Sequence, residues 1–341
     1  MNWFVFRQHR KQFLIFGILL ALFAAILIPT GMNLWQQYQH ALTTCAQNPN
    51  TPSCSDLSSS LFTSSADGLV RIGAVLGTFG LPLLLGLFLG SPLIAREYED
   101  GTNKLAWTQS VSRRRWLTTK LAWALGFALL YGIVLALLIT WWSRTLNTMN
   151  HYRFIQGHFE TQGLMPVVYS LFFTAIGFMT GAWFRKTLVS FAVTFGVFVL
   201  CMASFANWIR PHYMTPITVT SPVGPGTIEH YIPEGAWVLK RGDLVNKNGK
   251  EVSFDIPNFP AECQRYTLNI QTPNGGHVAR VKASGIDPVI ECLNRYGFHQ
   301  VAKYQPSYRY WDFQRIEAGI YLAMTALAIG ATYWPVLRRD A

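Results

Sequence analysis

Charge is the scarcest property of this sequence. Of its 341 residues only 13% are Asp, Glu, Lys or Arg, while 50% are hydrophobic and 14% aromatic. Soluble domains carry about 25% charged residues, so a chain this poor in charge cannot clothe a water-facing surface, and an ordinary soluble protein is excluded. Catalytic signatures are missing as well. No G-x-x-x-x-G-K-[ST], G-x-G-x-x-G or G-x-S-x-G occurs, which leaves no glycine-rich loop to cradle a phosphate and no nucleophile elbow. Neither ATP nor ester hydrolysis can be assigned to this chain alone, and no cofactor is expected in it. Cysteine is sparse, at five residues without C-x-x-C spacing, which argues against a metal site built on His277 or His299. The apolar runs hold hardly an ionisable residue, with Arg71 and Glu317 at their edges, where pairing or snorkelling costs little. That scarcity disfavours an ion-coupled transporter and an intramembrane hydrolase.

What is present is a series of long apolar runs. Residues 13–32 carry no charge and are long enough to cross the hydrocarbon core. Before them, residues 1–12 combine aromatics with Arg7, Arg10 and Lys11, the pattern of a short interfacial helix. A cleaved signal peptide shares the basic start, but this run is long for one, and Pro29, Met32 and Trp35 stand where small residues would mark a cleavage site. Further spans are expected at about 71–90, 117–142, 165–184, 188–208 and 317–337. Residues 209–316 are the sizeable polar part. Pro and Gly clusters at 221–226 and 273–276 separate alternating runs near 237, 252, 266 and 277, which predict antiparallel strands, with a helix over about 287–296. The fold class read from this is an all-α polytopic membrane protein. It has six transmembrane helices, an N-terminal interfacial helix and a small, mostly β extracellular domain between the fifth and sixth spans. The domains are 1–208, 209–316 and 317–341.

The distribution of positive charge sets the orientation. The formal net charge is +11, and 13 of the 28 Lys and Arg lie in short segments beside the apolar runs, at 7–11, 96–120, 185–186 and 338–339. Placing all four clusters in the cytoplasm puts both termini inside and leaves only Arg71, Arg144 and Arg153 in short outer loops. Residues 33–69 contain no Lys or Arg, as an outer loop should. Topology and one long loop account for the excess charge, so nucleic acid is not an expected partner; the lipid bilayer is. An oxidising exterior suits the cysteines: Cys45 and Cys54 share one outer loop, Cys263 and Cys292 the other, and pairing within each loop closes the shortest rings. Cys201 lies inside the fifth span.

Chemistry concentrates between the second and third spans. Arg96, Glu97, Tyr98, Glu99, Asp100, Gly101 and Lys104 precede the apolar patch Leu105, Ala106, Trp107 and the run Arg113, Arg114, Arg115. A solvated turn is one reading; the apolar patch favours a helix that docks on a soluble partner, with the arginines held at anionic headgroups. Within the spans, Gly73 and Gly77, Gly86 and Gly90, and Gly177 and Gly181 recur at helical spacing; such pairs let helices approach closely, and the readings are chance packing or a moving or dimer interface. Tryptophans near span ends, such as Trp141, Trp311 and Trp334, read as interfacial anchors. His151, His158 and Glu160 are the compact candidates for a carboxylate or histidine cluster at one membrane face, at a spacing that matches no catalytic pattern and suits a surface helix or loop.

Four stretches carry a family resemblance: FRQHR at 6–10, IAREYEDGTNKLAWTQSVSRRRW at 94–116, GFMTGAWFRKTLVSFAVTFGVF at 177–198 and YQPSYRYWDFQRIEAGI at 304–320. With them the chain resembles the membrane subunits of type-2 ATP-binding-cassette exporters, most closely those of actinobacteria and other high-GC bacteria. The resemblance implies a bacterial plasma-membrane permease that pairs with a second copy or a paralogue and is served by separate ATPase subunits, which hold the ATP and Mg. It implies a coupling helix at about Ile94–Lys104 and an N-terminal helix, residues 2–12, along the inner surface. It also implies a translocation path between two permeases lined by the second and fifth spans, here Phe79, Leu83, Phe195, Val199 and Met202. The region between the fifth and sixth spans exceeds the usual connector of that family. Such an exporter would move a hydrophobic or amphipathic drug, peptide or lipid outward by alternating access. The alternatives are an ATPase-coupled sensor that uses the outer domain, and a membrane enzyme acting on lipid-linked substrate.

Overall fold

The computed structural model describes residues 2–47, 65–102, 112–150, 152–154, 157–224, 227–252, 258–264, 266, 268–271, 277–280 and 288–338. Among them six helices are long and apolar enough to cross a membrane: Arg10–Gln47, Ile72–Glu99, Arg113–Trp142, Met165–Phe184, Thr187–His212 and Ser307–Arg338. The protein is therefore an all-α polytopic membrane protein, and these helices are its first to sixth spans. Apart from residues 307–309 of the sixth, they belong to one compact unit, Met1–Tyr213 with Tyr310–Ala341; Met214–Arg309 form a second.

The first span differs from the sequence reading at both ends. The helix runs without a break from Asn2 to Gln47, so the interfacial residues 2–12 are its opening turns. Nothing among residues 2–16 breaks a helix, and hydrogen bonding within the segment continues as long as no proline or glycine interrupts it. Pro29 lies inside the helix, where Thr30 Oγ1 bonds the Ile26 carbonyl at 2.8 Å and the Leu27 carbonyl at 3.1 Å, one of the local adjustments that let membrane helices tolerate proline.

The fourth span is the centre of the helical unit. Fifteen of its residues are buried, from Met165 to Ala182, and its polar side chains turn back on their own helix: Ser170 Oγ donates to Pro166 O at 2.7 Å and Thr174 Oγ1 to Ser170 O at 2.6 Å. Against it lies the second span, whose α-helix Ser65–Leu84 passes through a π-helical turn, Leu85–Gly90, into the helix Ser91–Glu99. The glycines at that crossing do what small residues do in membrane bundles, which is to let two backbones touch. A Cβ on Gly86 would sit 2.5 Å from Phe173 O, one on Gly90 2.5 Å from Thr174 O, and one on Gly181 2.7 Å from Ser91 O. Gly177 faces the backbone of Gly86 from the other side. The pairs 86/90 and 177/181 thus meet each other. Gly77 instead packs under the Phe23 ring, and Gly73 has open space.

The second unit is an open antiparallel sheet in the order β1 (Ile217–Pro222), β6 (His299–Gln305), β2 (Trp237–Val245), β3 (Glu251–Val252), with a separate hairpin of β4 (Leu268–Gln271) and β5 (His277–Arg280). The first and last strands of the unit are neighbours, with Ile217 opposite Tyr304 and Pro222 opposite His299. Its core joins Val223, Leu244, Phe259, Cys263, Val289, Leu293 and Phe298. The helix Pro288–Arg295 falls where the sequence predicts one. The Cys263–Cys292 disulfide ties that helix to the short helix Ala261–Gln264, with Cα atoms 5.6 Å apart. Cys45 is also disulfide-bonded, Cys54 lies outside the described residues, and Cys201 is a free, half-buried thiol.

Candidate functional site

The segment after the second span is built as a clamp on three other spans. Because Ser91–Glu99 continues the membrane helix, its residues alternate between a face packed on the bundle and a face left open. Leu93, Ile94, Ala95 and Glu97 are buried; Arg96, Glu99 and Asp100 are exposed. Glu97, 9% exposed, forms an ion pair with Lys120 of the third span, 2% exposed. Lys120 Nζ also donates to Leu93 O at 3.4 Å and lies 4.8 Å from the centre of the Trp116 ring. Those contacts leave the ammonium with acceptors in a place where an unpaired one would be very costly.

The neighbouring side chains reach the turn between the fourth and fifth spans. That turn is made by Arg185 in the left-handed region, φ 54°, and Lys186 in extended conformation. Glu99 Oε1 accepts the Thr187 N–H at 2.9 Å and Oε2 accepts the Thr187 hydroxyl at 2.6 Å. The carboxylate therefore caps the first turn of the fifth span, where free N–H groups and the positive helix end favour a negative charge. Tyr98 stacks under Arg185, 4.8 Å from guanidinium carbon to ring centre. Arg96 and Asp100 pair with each other at 3.6 Å on the open side, and Gly101, at φ +67°, ends the helix in a conformation that suits glycine. Lys104 lies outside the described residues. Beside this segment is a cavity of about 670 Å³, lined by Gln12, Phe16, Phe88, Arg96, Glu99 and Phe191 among others.

The five residues expected along a path lie on the second and fifth spans. Leu83 is buried at 9% exposure, Phe79 and Met202 are half-buried, and Phe195 and Val199 are exposed on one face of the fifth span. Neither this cavity nor the one at the opposite end of the spans is lined by any of them.

A second cluster corrects the sequence reading. Glu317 does not sit at an edge near water, and Glu160 is not part of a surface segment: they are 0% and 4% exposed, and both pair with Arg210, itself 2% exposed. Arg210 grips Glu317 with two parallel bonds, Nε to Oε2 at 2.8 Å and NH2 to Oε1 at 2.9 Å, and NH1 pairs with Glu160. Tyr169 and Tyr213 donate to the two Glu317 oxygens at 3.1 and 3.3 Å, and the Gly157 N–H donates to Glu160 at 2.6 Å. Burial, with the Glu317 carboxylate beside it, holds the Tyr213 hydroxyl above its ordinary pKa. Gln314, fully buried, closes the cluster by accepting the Leu164 N–H at 2.9 Å and donating to Phe159 O at 2.9 Å. The arrangement joins the segment before the fourth span to the ends of the fifth and sixth. The physical reason for the misreading is that each partner is an edge residue of its own run, and only packing of three edges encloses them. A signal was present: acidic and basic residues near the ends of three runs on one predicted face. His158 is half-buried and His151 lies outside the described residues. Among the described residues no group of three or more His, Cys, Asp or Glu is placed to hold a metal ion.

A family model described as ABC-2 membrane transporter related matches residues 17–210, a stretch that begins inside the first span, ends inside the fifth and contains the clamp. No curated protein and no solved structure matches the chain.

Proposed function

The chain belongs to the ABC-2 membrane transporter related family, matched over more than half of its length, and on that premise we propose that it is the permease subunit of an ATP-driven exporter. The observation that carries the proposal is the clamp: Ser91–Glu99 holds three spans through buried Glu97, half-buried Tyr98 and exposed Glu99, while Arg96 and Asp100 pair with each other on the exposed side, where a soluble partner can reach them. In this reading an ATP-binding-cassette ATPase subunit, carrying its own ATP and Mg, docks on the open face with Gly101 and Lys104 contributing. Closure of two ATPase subunits pushes on the segment, and the contacts of Glu97 and Glu99 pass the displacement to the third, fourth and fifth spans together.

Further parts of the reading follow from the same family context. Both termini lie in the cytoplasm of a bacterial cell and Met214–Arg309 lie outside. A second copy or a paralogue completes the pathway, with Phe79, Leu83, Phe195, Val199 and Met202 facing it. The apolar, aromatic character of the exposed fifth-span face, Phe195 at 51% and Val199 at 46% exposure, suits hydrophobic or amphipathic cargo moved outward. An inward-open and an outward-open state must bind that cargo with different affinity for the cycle to move it.

The test uses the chain co-expressed with an ATPase encoded beside it and reconstituted in nanodiscs. Reversing the open face with Arg96→Glu and Asp100→Lys is expected to abolish co-purification. Replacing the inner contacts with Glu97→Gln and Lys120→Met is expected to leave assembly intact but to remove the dependence of ATP hydrolysis on cargo. Failure of any ATPase to associate, or indifference of hydrolysis to both pairs, would overturn the proposal.

A further inference from the structure

At the end of the spans away from Ser91–Glu99, a cavity of about 500 Å³ opens beside the third and sixth spans. Its lining contains two arginines. Arg144 is exposed, Arg153 is half-buried, and neither has a carboxylate partner among the described residues. The nearest acids in sequence are engaged elsewhere, Glu160 with Arg210 and Asp312 with Arg315 at 2.9 Å. Arg153 is held in place by stacking, its guanidinium carbon 4.1 Å from the centre of the Tyr310 ring and 4.9 Å from that of Trp311. Stacking fixes the plane of a guanidinium while leaving its N–H edge for a planar or tetrahedral oxyanion.

A third polar residue belongs to the wall of the same space. Gln162 lines the cavity and is 1% exposed; its Oε1 accepts from Asn147 Nδ2 at 2.7 Å, yet its Nε2 has no partner. A buried amide N–H without an acceptor is rare in a finished structure and asks for a ligand or water to supply one. Two guanidiniums without a carboxylate partner among the described residues line one cavity, with an unpartnered amide buried in its wall, and paired guanidiniums are the donors that a phosphate oxyanion needs.

We propose that this cavity binds the phosphodiester headgroup of an anionic phospholipid. The walls decide between a lipid and a free anion. Trp141 and Trp311, at 45% and 47% exposure, flank the site as aromatic residues do at the headgroup level. From Trp141 an exposed apolar strip descends the third span through Leu137, Val134 and Leu130, at 68%, 49% and 65% exposure, a spacing that keeps them on one helix face. An acyl chain anchored by a headgroup in the cavity lies along that strip. The site also accounts for Arg144 and Arg153, two of the three exceptions to an otherwise basic-poor set of short loops. The proposal requires only that the chain sit in a bilayer and is independent of its coupling to an ATPase.

The test is native mass spectrometry of the full-length chain released from nanodiscs of phosphatidylcholine containing phosphatidylglycerol. Wild type is expected to retain phosphatidylglycerol in preference to phosphatidylcholine, and Arg144→Gln, Arg153→Gln and Gln162→Leu to lower that preference about tenfold each, the effect of one charge-assisted contact. Arg144→Lys, which keeps the charge and loses the fork, is expected to fall between. Arg144 is exposed, so its variants keep the fold and decide the matter even if the buried substitutions do not. Equal retention of the two lipids by wild type, or an Arg144→Gln protein with undiminished preference, overturns the proposal. Displacement of phosphatidylglycerol by millimolar inorganic phosphate also overturns it, in favour of a free-anion site.

Discussion

Replacing Arg210 with Met removes one side chain and leaves two buried carboxylates facing each other's vacated cation. In the native protein the guanidinium makes two parallel bonds to Glu317 and pairs with Glu160, with all three residues at most 4% exposed. Removing one partner of a buried pair costs about 3–5 kcal/mol, because the remaining charge has neither water nor a counterion. The tyrosine hydroxyls of Tyr169 and Tyr213 and the Gly157 N–H remain as donors, which places the loss toward the lower half of that range for Glu317 and keeps Glu160 the worse-served group. A change of 3–5 kcal/mol at about 2–4 °C per kcal/mol lowers the melting temperature by roughly 6–20 °C. Cys201 is a built-in reporter, since it is the free thiol among the described cysteines and is half-buried in the fifth span. A maleimide dye that fluoresces on reaction therefore reads its exposure as the bundle opens on heating. The control is the triple variant Arg210→Met, Glu160→Gln, Glu317→Gln, which has the same missing guanidinium and no buried charge. It is expected to recover most of the loss, since uncharged replacements of a buried ion cluster are often close to neutral. A single variant melting within about 2 °C of wild type, or a triple variant no better than the single one, refutes the assignment of the loss to uncompensated charge.

Two other expectations address the packing of each unit. Gly177→Ala puts a Cβ against the backbone of Gly86 and Gly90; overpacking of this kind costs about 1–3 kcal/mol, whereas Gly319→Ala meets open space in the sixth span, and the same dye assay should separate the two clearly. In the second unit, Cys263 and Cys292 close a ring with a sequence separation of 29. Their joint replacement by Ser is expected to destabilise that unit by about 3–4 kcal/mol on loop-entropy grounds. Faster amide exchange in β1, β2 and β6 would register the loss, and unchanged exchange would count against it.

Long uninterrupted apolar runs make their own helices in a bilayer, because every backbone N–H and C=O must find a partner within the segment. For that reason the six spans were legible from the residues; the basic turn at Arg185 and Lys186 was legible from its charges between two apolar runs, the helix Pro288–Arg295 from its local pattern, and the ring closed by Cys263 and Cys292 from shared loop membership. Strand β6 was not. His299–Gln305 is polar at most positions, and it becomes a strand because β1 and β2 pair with its two edges. The two faces of Ser91–Glu99 were equally hidden: composition marks Glu97 and Glu99 alike as loop acids, and only the helical phase inherited from the second span sends Glu97 to Lys120 and Glu99 to Thr187. The same holds for the Arg210 cluster, whose members are separated by 50 and 107 positions, and for the orphan donor of Gln162 beside Arg144 and Arg153. The number of spans, their membrane character and the uneven spread of basic residues among the short loops follow from local hydrophobicity and charge alone. Which charges are buried and which are paired depends instead on what distant segments bring within a few ångströms, and only the packed chain fixes that.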